Sequence, residues 1–171
     1  MLVRYYGQSC VEIEAGGAKL LFDPFITPNE LASEVDITTL NPDYILVTHG
    51  HQDHVADLED LANRSGARVI TNFEIVEWLG NKGIENVYPM NHGGAANFPF
   101  GRVKYVNAIH SSKLPDGSNG GNPGGFVVDA PDGTFYHAGD TALTYDMKLI
   151  PEEFELDFAL LPIGDNFTMG I

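Results

Sequence analysis

The sequence predicts an α/β fold with largely mixed sheets, and three observations carry that reading. Short apolar runs of strand character recur along the chain. Two of the stretches between them place apolar residues at helical spacing. The order is strands first, then strand–helix–strand–helix, then strands again, which suits sheets covered by helices rather than a bundle or a pure β barrel. A length of 171 residues fits one domain, 1–171, with a substantial core.

Each element has a local reason. Val11 and Ile13 alternate with Glu12 and Glu14, the period of a half-buried strand. AGGAK reads as a tight turn into a second strand, Leu20-Leu21-Phe22, which ends at Asp23-Pro24. DYILVTH is a continuous apolar run, the mark of a strand buried on both faces. Val55, Leu58 and Leu61 then fall at helical spacing, and Gly66 is placed to stop that helix. ARVIT is another strand, and FEIVEWLGNKG another helix, with Phe73 and Trp78 expected in the core. VKYVNAIH alternates towards a strand ending at His110. GFVVDAPDGTFYHAGD predicts a hairpin around Pro131-Asp132-Gly133 whose second strand ends at Asp140, and DFALLPIGDN a last strand ending near Asp165.

Composition narrows the function classes. Hydrophobic residues make up 43% and charged residues 19%, an ordinary globular balance. The 24 acidic against 9 basic residues give a formal charge of −15. That surface disfavours nucleic acid and anionic membranes as partners. No stretch approaches a signal peptide or the ~20 apolar residues of a membrane span. The single cysteine, Cys10, lies in a strand pattern and is expected as a small buried hydrophobe; its solitude points to a reducing cytoplasm.

One regularity has no folding explanation. Asp23, His49, His110, Asp140 and Asp165 each follow a predicted strand, and a sheet gathers its strand ends along one edge, where α/β folds assemble sites. VTHGHQDHVADL crowds His49, His51, Asp53 and His54 onto one strand-to-helix turn. Four such groups left unpaired would be costly to desolvate, so the run is expected to hold metal. His49 and His51, one residue apart, can share an ion that His110 completes; Asp53 and His54 can face a second ion; Asp140, with two carboxylate oxygens, can bridge. Imidazole and carboxylate ligands suit zinc, with manganese or iron as alternatives.

These residues resemble the metallo-β-lactamase-fold hydrolases: His49-Gly50-His51-Gln52-Asp53-His54, then His110, then Gly139-Asp140-Thr141 stand in the superfamily's order. FDPF, NAIHSS, YHAGDT and PIGDNFTMG look like its branch of small metal-dependent hydrolases similar to the L-ascorbate-6-phosphate lactonases. The resemblance implies an αββα sandwich with two divalent metal ions at one edge. His49, His51 and His110 would hold the first ion, Asp53 and His54 the second, with Asp140 bridging and Asp23 orienting a ligand from behind. Two departures stand out. Where the branch often has a histidine after the first glycine this chain has Gln8, so no accessory role is carried over to that position. The pattern also needs one more histidine beyond the bridging aspartate, and none follows His137. The chain therefore reads as shortened at its C-terminus, with an uncovered sheet expected to associate with a second copy or to cost stability. His137 is read as a packed histidine and His92 as a surface residue or a support behind the ligands.

The chemistry expected from such a site is hydrolysis of an ester, lactone or phosphoester-type small molecule by a hydroxide held between two metals, with Asp53 accepting the nucleophile's proton. A local charge of about +1 would draw an anionic or carbonyl-bearing substrate despite the acidic surface. The glycine-rich run after His110 is expected as a mobile substrate loop, with Ser111, Ser112 and Asn119 facing the site. His51 stands where the di-iron flavoprotein relatives carry glutamate, and Asp140 where the common zinc β-lactamases carry cysteine, which argues against both chemistries. The remaining alternative is a non-catalytic metal-binding or scaffold module of the same fold.

Overall fold

The computed structural model describes residues 1–171 as two stacked sheets with helices outside them. The first sheet has six strands in sequence order: β1 (Leu2–Gly7), β2 (Cys10–Ala15), β3 (Ala18–Phe22), β4 (Tyr44–Leu46), β5 (Arg68–Asn72) and β6 (Val87–Met90). β1 to β3 pair antiparallel and β3 to β6 parallel. The parallel half is crossed over by α1 (Gln52–Val55), α2 (Leu58–Ser65) and α3 (Phe73–Gly80). The second sheet runs β11 (Phe158–Leu160), β10 (Gly133–His137), β9 (Gly124–Ala130), β8 (Gly101–Asn107), β7 (Ala95–Phe98). It is antiparallel except for the β10–β11 pair. The short helix α4 (Ile150–Glu153) lies on its outer face, giving αββα layers.

Strand alternation explains the layering. Along β3, Leu20 and Phe22 point between the sheets while Leu21 points to the helices; Leu46 and Ile70 point inward while Ile45 and Val69 point outward. From the second sheet, Phe126, Val128 and Phe135 meet them, and Val127 and Tyr136 face α4. Phe22 sits at the centre of the inner layer, edge-on to Phe126 and Phe135 at centroid distances of 6.2 and 5.8 Å. Truncating so enclosed a ring to alanine costs about 3–5 kcal/mol.

The punctuation follows the sequence closely. Gly66 stops α2 in the left-handed region at φ 70°, its N–H donating to the Ala62 carbonyl. The Asn72 side chain caps α3 by accepting from the Ile75 N–H. Three expectations are corrected. The strands before His49, His110 and Asp140 stop three residues earlier, at Leu46, Asn107 and His137, so these side chains stand on short extended loops beyond the sheet. Phe73, at the first turn of α3, is 51% exposed, whereas Trp78 is buried as expected. Asp165 lies five residues past β11 in an exposed turn of its own.

Candidate metal centre

β3 and β4 are parallel neighbours in the first sheet, and β8 and β10 flank β9 in the second, so the C-terminal ends of all four come to one edge of the sandwich. The sheets are tied there through Thr48, whose carbonyl accepts from the Gly124 N–H (3.1 Å) and the Tyr105 hydroxyl (3.0 Å). At the end of β10, Gly139 turns the chain at φ 61°, and a Cβ there would stand 2.7 Å from Thr48. A residue with a side chain fits neither the conformation nor the space, and this turn delivers Asp140 into the site.

The edge gathers two overlapping groups of metal-ligating atoms. His49, His51 and His110 form one, and His49, His54 and Asp140 the other; within each, all ligand atoms lie within 4.8 Å of one another. His49 Nε2 and His51 Nδ1 converge at 3.0 Å, and Asp140 Oδ2 stands 3.5 Å from His54 Nε2 and 3.6 Å from His110 Nε2. Asp140 thus lies between the two groups, the position a bridging carboxylate needs.

Behind the ligands, Asp23 organises the inner pair. It is fully buried and follows β3 in the left-handed region at φ 44°, a conformation held by its bonds rather than by preference. It accepts from the Thr48 N–H (2.8 Å), the Thr48 hydroxyl (2.7 Å), the Ser9 hydroxyl (3.2 Å) and His54 Nδ1 (2.8 Å). Because Thr48 Oγ1 donates to Asp23, it must accept from His49 Nδ1 at 3.0 Å. One carboxylate therefore fixes both buried imidazoles, directly and through one hydroxyl, so that each presents Nε2 to the centre.

The electrostatics divide the histidines. Burial, reinforced by the neighbouring imidazoles, holds His49 well below its ordinary value, and burial with His110 lowers His51. Burial also disfavours charge on His54, but Asp23 and Asp140 outweigh it and raise the group to about 10. Burial pushes the Asp140 carboxyl up, and the bond to His54 and the surrounding imidazoles more than reverse this. These are neutral or displaceable nitrogens and an ionised carboxylate, a donor set that fits zinc, manganese or iron.

Several expected residues sit differently. Asp53 does not join either compact group: its side chain is 46% exposed and its Oδ2 is 3.9 Å from His54 Nε2. The glycine-rich run is not a free lid. Asn72 Nδ2 donates to the Gly120 and Asn122 carbonyls, and Trp78 Nε1 donates to Asp116. Ser112 turns inward, accepting from the Gly50 N–H and donating to the Gly120 carbonyl, and Asn119 folds back to accept from the Gly121 N–H on a surface away from the cleft. Only Ser111 of that trio faces the site, 3.1 Å from His51 Nε2. His137 is stacked on Phe22 at 4.7 Å with Nε2 on the Ser9 carbonyl, a packed residue as expected; His92, expected at the surface or behind the ligands, is half-buried and stacked over Tyr105. Gln8, to which the resemblance carried no role over, reaches the site: its Nε2 donates to Asp53 Oδ2 at 2.8 Å and lies 3.4 Å from His54 Nε2. Nothing local signals this, since the partners are 45 and 46 residues away.

The groups open onto a cleft of about 860 Å³, lined by Gln8, His51, Asp53, His110 and Asp140 together with Leu161, Ile163 and Phe167. The chain is similar to known proteins over its whole length. The family described as "Beta-lactamase superfamily domain" matches residues 2–171. A UPF0173 metal-dependent hydrolase of Methylacidiphilum infernorum is 54% identical over 171 residues, covering all of this chain and 76% of the relative; one from Flavobacterium johnsoniae is 55% identical with the same coverage. Igni18, a metallo hydrolase of the hyperthermophilic archaeon Ignicoccus hospitalis, superposes with a TM-score of 0.86 at 33% identity, covering 98% of this chain and 72% of that one.

Proposed function

Because this chain belongs to the metallo-β-lactamase superfamily and is a metal-dependent hydrolase, we propose that its centre takes two divalent cations and hydrolyses an ester, lactone or phosphoester-type small molecule. The observation that carries this reading is the pair of overlapping ligand groups with Asp140 between them. Zinc is the cation the imidazole-rich set favours, with manganese or iron as alternatives. Bound divalent cations would supply Lewis acidity, lowering the pKa of water to about 7 and polarising a carbonyl or phosphoryl oxygen.

The chain's own residues do the rest. His49, His51 and His110 serve one position and His54 and Asp140 the other, with Asp23 and Thr48 holding His49 and His54 in the ligating tautomers. Asp53, accessible at the cleft and steadied by Gln8, is placed to take the proton of the attacking water. The Ser111 hydroxyl holds the outer nitrogen of His51. Leu161, Ile163 and Phe167, exposed along the cleft, suit a substrate with an apolar portion beside its reacting group.

The test is a hydrolysis screen of generic ester, lactone and phosphodiester substrates with the chain loaded with zinc or manganese, repeated after chelation. Chelator-sensitive turnover that disappears in Asp140→Asn is the expected result. Tight cation binding with no turnover on any class would favour a metal-binding module instead.

A further inference from the structure

We propose that Gln8 is a ligand of the second cation, its carboxamide oxygen completing the group of His54, Asp140 and the nearby Asp53. The proposal rests on the two-cation reading above. That group is short of donors of its own, because its third member, His49, also belongs to the first group. The other histidines cannot supply one: His137 is spent on Phe22 and the Ser9 carbonyl, and His92 on Tyr105 and the Pro123 carbonyl. The Gln8 carboxamide is already in place, 2.8 Å from Asp53 Oδ2 and 3.4 Å from His54 Nε2, on the wall of the cleft that holds Asp140.

Its placement is built and not incidental. Gln8 occupies the turn between β1 and β2 in the left-handed region at φ 54°, where a side-chain-bearing residue costs roughly 1–2 kcal/mol. The next residue anchors the turn from beneath the centre: the Ser9 hydroxyl donates to Asp23, and its carbonyl accepts from His137. Strain at a residue whose side chain points into a ligand group is a signature of function.

Without a cation, the amide's N–H end faces the Asp53 carboxylate, the arrangement a negative neighbour selects. A cation bound beside His54 would reverse that preference, and a half-turn of the amide exchanges Nε2 for Oε1 without changing its shape. A neutral oxygen then joins carboxylates and one imidazole at the second position, while the first keeps three imidazoles beside the shared Asp140. Oxygen donors favour harder cations, so the two positions differ in preference, the second accepting manganese more readily.

The experiment titrates the metal-free chain with Co²⁺, followed by absorption, and with Zn²⁺ by calorimetry, in wild type, Gln8→Ala and Gln8→Asn. Asparagine tolerates the left-handed turn but is one methylene short, so it keeps the fold while withdrawing the oxygen. Two binding steps are expected in wild type. Both variants should weaken the second step by more than ~10-fold and change its cobalt spectrum, leaving the first step and the metal-free melting temperature alone. Unchanged second steps and spectra in both variants, or equal weakening of both steps, would overturn the role of Gln8 alone. A wild-type chain that takes up only one equivalent would overturn the two-cation reading, and this proposal with it.

Discussion

The inner and outer halves of the centre are built on different terms. His49 and His54 are fully buried, and a single carboxylate, Asp23, fixes both before any ligand arrives. His51 and His110 stand at the cleft, and His51 has only the Ser111 hydroxyl behind it. Pre-orientation costs the fold a strained, buried aspartate; the outer half avoids that cost and keeps freedom to adjust around substrate. The difference predicts that removing the support behind the inner half damages metal binding itself, whereas removing the support behind the outer half falls more on turnover.

The sharpest way to break this comparison is Asp140→Asn, which keeps the size but removes the charge between the halves. Turnover should fall by more than ~100-fold with reduced occupancy of both cations; wild-type turnover with two bound ions would remove Asp140 from the site. Next comes Asp23→Asn. It withdraws the anion that sets both tautomers and should weaken metal binding about 10–100-fold, read by competition with a chromogenic chelator. Equal weakening in Ser111→Ala would erase the distinction between inner and outer support.

A pH titration sharpens the same contrast. His54 holds its proton up to about 10 in the metal-free chain, whereas His49 and His51 are shifted down. Loading the His54 position must therefore release a proton, and its affinity should rise with pH by up to about tenfold per unit through the neutral range. The first position should vary less over the same range. Calorimetry in buffers of different ionisation enthalpy reads the protons directly, and equal release at both steps would contradict the assignment. The smallest effects belong to the loop: Ser111→Ala should cost a few-fold in turnover, and Asn119→Ala, which faces away from the cleft, should cost nothing measurable.

What could be read from the sequence was what local chemistry announces. The crowded His49–His54 run, His110 and Asp140 beyond strand ends, and the alternating strands of both sheets all carry their signal within a few residues. β1, β6 and β7 do not. Leu2–Gly7 alternates poorly and its first residues are exposed, while Ala95–Phe98 has little strand propensity; each exists because a neighbour pairs with it. The run from Ser111 to Gly121 reads as flexible by composition, yet bonds from Gly50, Asn72 and Trp78, all distant in sequence, pin it. Gln8 was silent for the same reason: its meaning lies in Asp53 and His54, which the fold brings to it.

Two cation positions are proposed, with His49 and His51 serving one and His54 the other. The direct measurement is bound zinc per chain, by elemental analysis after removal of excess metal, in wild type and in His51→Ala, His54→Ala and His49→Ala, each checked for folding by circular dichroism. The proposed site predicts two ions in wild type and about one in each of the three variants. Two ions retained in folded His49→Ala, or a wild type that holds none, would contradict it.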